Sequence, residues 1–288
     1  MSKISITCAL TGVLTDPKET GVPVTPEEMA SAAFEAYNAG ASIVHCHFRN
    51  QEAGRGHLAT WDAKVVKNIC DAIKAKVPEI IINMSTGTVG PDISGAISCL
   101  KVVKPEIAAL NAGSLNYLKI KSDGNWAWPP FLFDNPVEKI EQFLKVMNEN
   151  NILPECECFD TGIVRSIGMF EKKGLLKKPA MVSFVMGVAS GMPANPKWLP
   201  LLVDELTPGA HWQVIVIGRD EVWPVLEKAA QMGGDVRTGL EDTFYLPDGK
   251  KTKSNGALVE ALAKIIKKSG KEVASAKETR AKLGLRSQ

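Results

Sequence analysis

Two of the four histidines in this chain stand two residues apart, in His45-Cys46-His47, directly after the apolar run Ala41-Ser42-Ile43-Val44. On a β-strand, residues two apart project from the same face. Both imidazoles therefore point together while Cys46 turns away. Two neutral imidazoles converging on one point suit a divalent metal such as zinc. A pair of core or surface histidines is the competing role, so the weight of the motif depends on what the rest of the chain brings to it.

The elements that must position these side chains are legible from periodicity and punctuation. Eight β-rich runs are expected: Ile4–Leu10, Ser42–His47, Glu79–Met84, Ile107–Asn111, Glu155–Phe159, Ala180–Met186, Gln213–Ile217 and Asp235–Gly239. Amphipathic stretches lie between them. Thr25-Pro26-Glu27-Glu28 opens a helix with a capping residue, a proline at its first position and two acids in its first turn. That helix should stop at Ala39-Gly40. Further helices are expected over Trp61–Lys76, Asn135–Asn150, Ile163–Lys173 and Glu221–Gln231. Asn255 to Gln288 reads as an eighth helix plus an added one. Eight β–α units in 288 residues predict one (β/α)₈ TIM barrel, an α/β fold, as a single domain over residues 1–288 with an extra C-terminal helix. A doubly wound open sheet would show a Gly-rich phosphate turn after its first strand, and Gly12-Val13-Leu14-Thr15 is not one.

In such a barrel the active site forms where the strands end and the βα loops begin. Those ends carry Thr11, His45, His47, Arg49, Asn83, Ser85, Thr86, Asn111, Ser114, Glu155, Glu157, Arg219, Arg237, Glu241 and Asp242. Each has a bland alternative: an asparagine caps a turn, a glutamate sits satisfied in the core. Their joint placement at one rim points to an enzyme. Strand eight closes beside strand one, with strand two next, so Glu241 is the expected third ligand to the metal. Two histidines and a carboxylate form a usual catalytic zinc set. Asp242 is the runner-up ligand, better suited to acid–base work or to pairing with an arginine. No histidine occurs from Phe159 to Ala210, which argues against a two-metal hydrolase built on the same H-x-H motif.

Composition excludes little and agrees with the rest. Hydrophobic residues make up 45% and charged residues 23%, the usual balance of a globular enzyme. A net charge of +2 gives no reason to expect nucleic acid or a membrane as partner. The six cysteines mostly sit inside apolar runs and read as buried free thiols. No leader and no bilayer-spanning stretch is evident, so a cytoplasmic protein is expected.

Several motifs in order are similar to those of the β-keto acid cleavage enzymes, whose founding activity is 3-keto-5-aminohexanoate cleavage. They are Thr11-Gly12, Val44-His45-Cys46-His47-Phe48-Arg49, Ser85-Thr86-Gly87, Leu110-Asn111-Ala112-Gly113-Ser114-Leu115-Asn116, Pro154-Glu155-Cys156-Glu157 and Gly233-Gly234-Asp235-Val236-Arg237-Thr238-Gly239-Leu240-Glu241-Asp242. The resemblance covers almost the whole chain. It implies a (β/α)₈ barrel, usually a homo-oligomer, with a tetramer as the expectation here. It implies one Zn²⁺ per chain and acetyl-CoA as co-substrate. The reaction it implies converts a β-keto acid and acetyl-CoA into acetoacetate and a new acyl-CoA. By position, it assigns His45, His47 and Glu241 to zinc, Arg237 and Asp242 to an Arg–Asp dyad, Glu157 to an active-site glutamate and Ser85 to substrate binding. Thr86, Asn111 and Ser114 are further substrate-binding candidates. Arg49 and Arg219 are candidates for the CoA phosphates or a substrate charge, with a structural ion pair as the competing role.

One position departs from the founding enzyme. That enzyme has a glutamate for the substrate's amino group where this chain has Leu14. A buried ammonium without a partner is costly, so a neutral acyl tail is favoured. Trp126 and Trp128, in the polar loop Lys121–Pro130, read first as a loop or oligomer contact. Their second reading is an aromatic surface for a quaternary ammonium, as in dehydrocarnitine. A class II aldolase-type lyase working without CoA, or a non-catalytic metal-binding barrel, are the alternative functions.

Overall fold

The computed structural model describes residues 3–285. The outermost positions of the expected 1–288 domain, including the last three of the stretch Asn255 to Gln288, lie outside the described residues. The chain begins with β1 (Ile6–Ala9), a short helix α1 (Pro17–Thr20), α2 (Pro26–Ala39), β2 (Ile43–Cys46) and α3 (Ala63–Lys76). It continues with β3 (Ile81–Met84), α4 (Ser94–Val103), β4 (Ile107–Asn111), β5 (Leu115–Tyr117), β6 (Phe131–Phe133) and α5 (Val137–Glu149). Then come β7 (Leu153–Cys158), α6 (Thr161–Lys172), β8 (Met181–Met186), α7 (Leu199–Asp204), β9 (His211–Val216) and α8 (Val222–Met232). The last elements are β10 (Asp235–Thr238), α9 (Asn255–Lys268) and α10 (Ala276–Leu283).

Eight of these strands close a parallel barrel in the order β1-β10-β9-β8-β7-β4-β3-β2. This is the (β/α)₈ TIM barrel expected from the sequence, with α10 as the extra C-terminal helix. The local reasons are those the sequence carries. Thr25 caps α2, its hydroxyl accepting from Glu28 N while Glu28 reaches back to the Thr25 amide. Gly40 then ends the helix in the left-handed conformation. Asp62 caps α3 and Asp160 caps α6. Strand residues alternate as the pleat demands. Cys8, Val44, Cys46, Ile82, Met84, Leu110, Cys156, Phe184 and Val214 pack in the main core beneath the helices. Each large apolar side chain buried this way stabilises the barrel by about 1.5–3 kcal/mol. All six cysteines are free and buried, as expected.

The other strand face looks into the barrel. At its N-terminal mouth Ile43, Ile81, Ile107 and Met181 form a separate apolar layer, and Leu283 of α10 plugs it. Ion pairs hold that plug: Arg280 reaches Glu106 at 2.7 Å and Lys282 reaches Asp235 at 2.7 Å. The bottom is thereby sealed and the polar chemistry is left to the C-terminal rim. The polar loop Lys121–Pro130 joins two short strands the sequence did not announce, β5 and β6, which pair as an antiparallel hairpin outside the barrel. Alternation in so short a run is weak, and stacking of Tyr117 on Trp128 and Phe131 holds the hairpin together. Among the described residues, no helix is long and apolar enough to cross a membrane.

Candidate metal centre and acid–base site

His45 lies on β2 in register with Ala9 of β1 and Asn83 of β3, and His47 follows just beyond the strand end. Their rings sit 5.2 Å apart, edge to face. Glu241 comes over from the loop after β10 and meets both. Its Oε1 lies 3.4 Å from His47 Nε2 and its Oε2 lies 3.7 Å from His45 Nε2. One donor atom from each of the three residues falls within 4.8 Å of the others. The separations of 3.4 and 3.7 Å are close to the roughly 3.5 Å that ligands 2.0–2.2 Å from a tetrahedral ion keep from one another. His45 Nδ1 and Glu241 Oε2 are buried and have no hydrogen-bond partner, so the carboxylate keeps a free acceptor facing the imidazole. The donor set fits a divalent cation.

Two glycines let Glu241 reach this place. Gly239 has a φ of 146°, and a Cβ there would stand 2.2 Å from the carbonyl oxygen of Ala9. Gly12 has a φ of 56°, and a Cβ there would stand 2.8 Å from Cγ of Glu241. Only residues without a Cβ allow β1 and the loop after β10 to approach this closely. The Thr11-Gly12 motif thus acts through the Glu241 side chain.

Arg237, on β10 in register with Thr7, organises the acids. Its Nε donates to Asp242 Oδ2 at 3.0 Å and its Nη2 to Asp242 Oδ1 at 2.9 Å, a bidentate pair. The same Nη2 donates to Glu241 Oε1 at 2.6 Å, and Nη1 to Glu157 Oε1 at 3.4 Å. Three carboxylates share one guanidinium, so negative charge is in excess and the acids separate in proton affinity. Burial works against the Glu241 carboxylate, but Arg237 and the two imidazoles overcome it and hold Glu241 well below the usual range. Burial pushes Asp242 up to about 6 against the pull of Arg237. Burial and the neighbouring charge of Glu155 push Glu157 up to about 8. Burial and the charge of Arg237 hold His45 well below its ordinary value, which keeps it neutral as a ligand must be. The cluster therefore contains an ionised ligand-type carboxylate, a carboxylate poised near neutrality and a carboxyl that keeps its proton, which is how acid and base roles are divided in one site.

The remaining candidates separate into two groups. Ser85 and Asn111 come together at the rim, since a Cβ on Gly87 would lie 3.7 Å from Ser85 Oγ and 3.6 Å from Asn111 Nδ2. Asn111 is also the register partner of Glu157. Thr86 instead donates its hydroxyl to Ala109 O, tying β3 to β4. Ser114 Oγ accepts from Asn135 N at 2.6 Å and anchors the exit of the hairpin. Arg49 is 1% exposed and spends its donors on Thr11 Oγ1 at 2.9 Å, Gly56 O at 3.1 Å, Thr11 O at 3.3 Å and Thr15 Oγ1 at 3.4 Å. Through these bonds it clamps the loop after β1 on both sides of Leu14. Leu14 itself is 83% exposed. Arg219 stacks over Tyr245 at 5.1 Å, with Lys251 at 5.7 Å from the same ring. Trp126 is exposed while Trp128 stacks on Tyr117, so the two indoles are engaged differently. A groove of about 540 Å³ lined by Lys104, Asn150, Leu176, Met181 and Leu285 opens at the opposite mouth, away from all of these acids.

Thr7, Ser183 and Gln213 were not among the candidates read from the sequence, and Asn83 and Glu155 were read there only as strand-end polarity. All five are buried inside the barrel. Their sequence signal is a polar residue at an inward position of an otherwise apolar strand, which is visible only once the inward face is known.

The fold is a (β/α)₈ barrel, and its acids and histidines gather at the C-terminal rim, where enzymes of this fold place their active sites. The chain belongs to the beta-keto acid cleavage enzyme family, whose model matches residues 3–285. It is 35% identical to the 3-keto-5-aminohexanoate cleavage enzyme of Acetoanaerobium sticklandii, over 99% of both chains. It is 30% identical to the 3-oxoadipate:acetyl-CoA acetyltransferase of Cupriavidus necator, covering 97% of this chain and 94% of that one. It is 28% identical to the 3-dehydrocarnitine:acetyl-CoA trimethylamine transferase of Rhizobium meliloti, covering 98% and 97%. Among solved structures, the ternary complex of ObcA with a C4-CoA adduct and oxalate shares the fold with a TM-score of 0.73 at 20% identity, over 92% of this chain and 67% of that one.

Proposed function

We propose that this protein is a zinc-dependent enzyme that condenses a β-keto acid bearing an uncharged acyl tail with acetyl-CoA, yielding acetoacetate and a new acyl-CoA. The observation that carries the reading is the convergence of His45, His47 and Glu241 within 4.8 Å beside the Arg237–Asp242 pair. The names of relatives from three organisms, two of which specify acetyl-CoA, support the reaction class. In the net exchange, the carbon–carbon bond between the acyl and carboxymethyl parts of the keto acid breaks. The same carboxymethyl carbon bonds to the acetyl carbonyl carbon, and the acyl group takes the thiol.

His45, His47 and Glu241 would hold the zinc, which supplies Lewis-acid polarisation of a keto oxygen when bound. Asp242 is the base for the α proton, because its carboxylate is deprotonated above about pH 6 and is aimed by both guanidinium bonds. Arg237 keeps that carboxylate from rotating and offsets the charge of its neighbours. Glu157, protonated at neutral pH, donates a hydrogen bond to an oxygen of the reacting acid or adduct. Ser85 and Asn111 supply further polar contacts at the rim. Arg219 with Lys251 and Tyr245 offers the CoA phosphates two cations beside an aromatic face.

The uncharged tail rests on Leu14, an apolar residue that offers no partner to an ammonium, on a loop held by Arg49. We further propose one domain over residues 1–288, a cytoplasmic location and a homo-oligomer, for which the exposed apolar residues Ile120, Trp126, Phe131 and Leu132 on and around the hairpin are the natural contact. The deciding experiment is a screen of β-keto acids with acetyl-CoA that reads acetoacetate. Turnover that needs no acetyl-CoA would replace this reading with an aldolase-type lyase. Bound metal without any turnover would replace it with a binding protein.

A further inference from the structure

Thr7, Asn83, Glu155, Ser183 and Gln213 cross the barrel interior from β1, β3, β7, β8 and β9, all buried directly beneath the rim. They form one connected set of hydrogen bonds. Thr7 Oγ1 donates to Gln213 Oε1 at 3.0 Å. Gln213 Nε2 donates to Glu155 Oε1, and Ser183 Oγ donates to the same oxygen at 2.6 Å. Asn83 Nδ2 donates to Glu155 Oε2. The Gln213, Ser183 and Asn83 donors all converge on the two Glu155 oxygens. The direction of the Asn83 amide is thereby set: its nitrogen is spent on Glu155, and its oxygen must find a donor elsewhere.

Asn83 Oδ1 is a buried acceptor without a partner, and His45 Nδ1 is a buried nitrogen without one. The strand register pairs these two residues directly across β2 and β3. His45 turns Nε2 toward Glu241, so Nδ1 is the far nitrogen of the ring. Buried polar atoms left unpaired are costly, and here one unpaired acceptor and one nitrogen occupy paired positions.

We infer that Asn83, held in one orientation by Glu155, is a positioning residue that selects the His45 tautomer with its proton on Nδ1, leaving the Nε2 lone pair aimed at the ion. The inference rests on the proposed metal centre of His45, His47 and Glu241. Histidine ligands characteristically donate their second N–H to a fixed acceptor, and removing such a partner costs 10–100-fold in metal affinity or activity. A rival role exists for the same residues, because donor atoms of His45, Glu155 and Glu157 also lie within 4.8 Å of one another. The three donors already bonded to Glu155 occupy the oxygens a second ion would need.

The test is Zn²⁺ binding to the metal-stripped full chain by chelator competition. Thermal unfolding of the metal-free protein and imidazole ¹⁵N spectra of the zinc-loaded protein accompany it. The wild type should bind one Zn²⁺, with His45 attached through Nε2 and protonated at Nδ1. Asn83→Leu should weaken Zn²⁺ binding about 10–100-fold. Asn83→Asp, sharing a proton with Glu155 and so keeping an acceptor oxygen, should recover most of the loss. Affinity within threefold of wild type in a folded Asn83→Leu protein overturns the inference. So does attachment through Nδ1, which the wild-type spectra decide even where Asn83→Leu does not fold. Two ions per chain, both sensitive to Glu155→Gln, would establish the rival. Failure of the metal centre itself looks different: the wild type then binds no Zn²⁺, or His45→Ala binds it normally, and the inference falls with it.

Discussion

Arg237 grips Asp242 with two parallel hydrogen bonds, from Nε to Oδ2 at 3.0 Å and from Nη2 to Oδ1 at 2.9 Å, while the same Nη2 reaches Glu241 at 2.6 Å. One guanidinium thus links the expected base to the expected metal ligand. The two acids are adjacent in sequence yet sit in opposite electrostatic circumstances. Glu241 also faces two imidazoles and stays ionised, whereas Asp242 is the more deeply buried and is pushed up to about 6.

Elemental analysis of the purified protein should find about one zinc-type ion per chain. His45→Ala and Glu241→Ala should each lose most of it. Stripping the metal from the wild type should lower Tm, because an ion that binds only the folded state stabilises it by mass action. Full metal content in both variants would put the site elsewhere.

Asp242→Asn keeps the shape and most hydrogen bonds of the pair but cannot accept a proton. It should retain fold and metal while turnover drops by about two or more orders of magnitude. Kinetics close to wild type would remove Asp242 from the role of base.

The pH profile should carry the same signature. A base whose folded value is raised to about 6 is active above that value and is silenced as pH falls through it. A cation held by Glu241 would lower the value further, so the acid limb of kcat/KM should lie at or below about pH 6. A rate still climbing above pH 7 would assign that limb to another group.

Leu14→Glu should move preference from β-keto acids with uncharged tails toward 3-keto-5-aminohexanoate. A hydrogen bond to a charged group is worth about 1.5–3 kcal/mol, roughly 10- to 150-fold in the ratio of kcat/KM values. A wild type that already favours the amine would show that Leu14 does not set the choice. A preference for dehydrocarnitine would bring Trp126 and Trp128 forward as the cation site.

Gly239→Ala places a Cβ 2.2 Å from Ala9 O on a backbone with a φ of 146°. Strain of this kind costs about 1–3 kcal/mol, and relief can come only by moving the loop that carries Glu241. Thermal melts should show the loss, and zinc affinity should fall with it. Unchanged melting and unchanged affinity would mean the two backbones can separate freely.

Much of this molecule is written in local signals. Thr25-Pro26-Glu27-Glu28 announces α2, the short apolar run before His45 announces a strand, and the two-residue spacing of His45 and His47 announces a shared face. These follow from nearest-neighbour sterics and pleat geometry, which act within a few residues. Boundaries shifted where a distant partner decides them. Strand β7 begins at Leu153 because Leu153 N bonds to Glu106 O, although Pro154 punctuates the run. The hairpin of β5 and β6 depends on Tyr117 stacking against residues more than ten positions away.

The site divides in the same way. Residue types and strand-end placement single out His45, His47, Glu241, Arg237 and Asp242, because barrel closure brings the eighth strand beside the first. Closure alone decided the rest. It buried Arg49 and set its donors on Thr11, Thr15 and Gly56, where it clamps the Leu14 loop. It also joined Thr7, Gln213, Ser183, Glu155 and Asn83, up to 206 positions apart, beneath one imidazole. A chain states which groups it carries, but proton affinity and hydrogen-bond direction depend on what surrounds each group, and those surroundings exist only in the closed barrel.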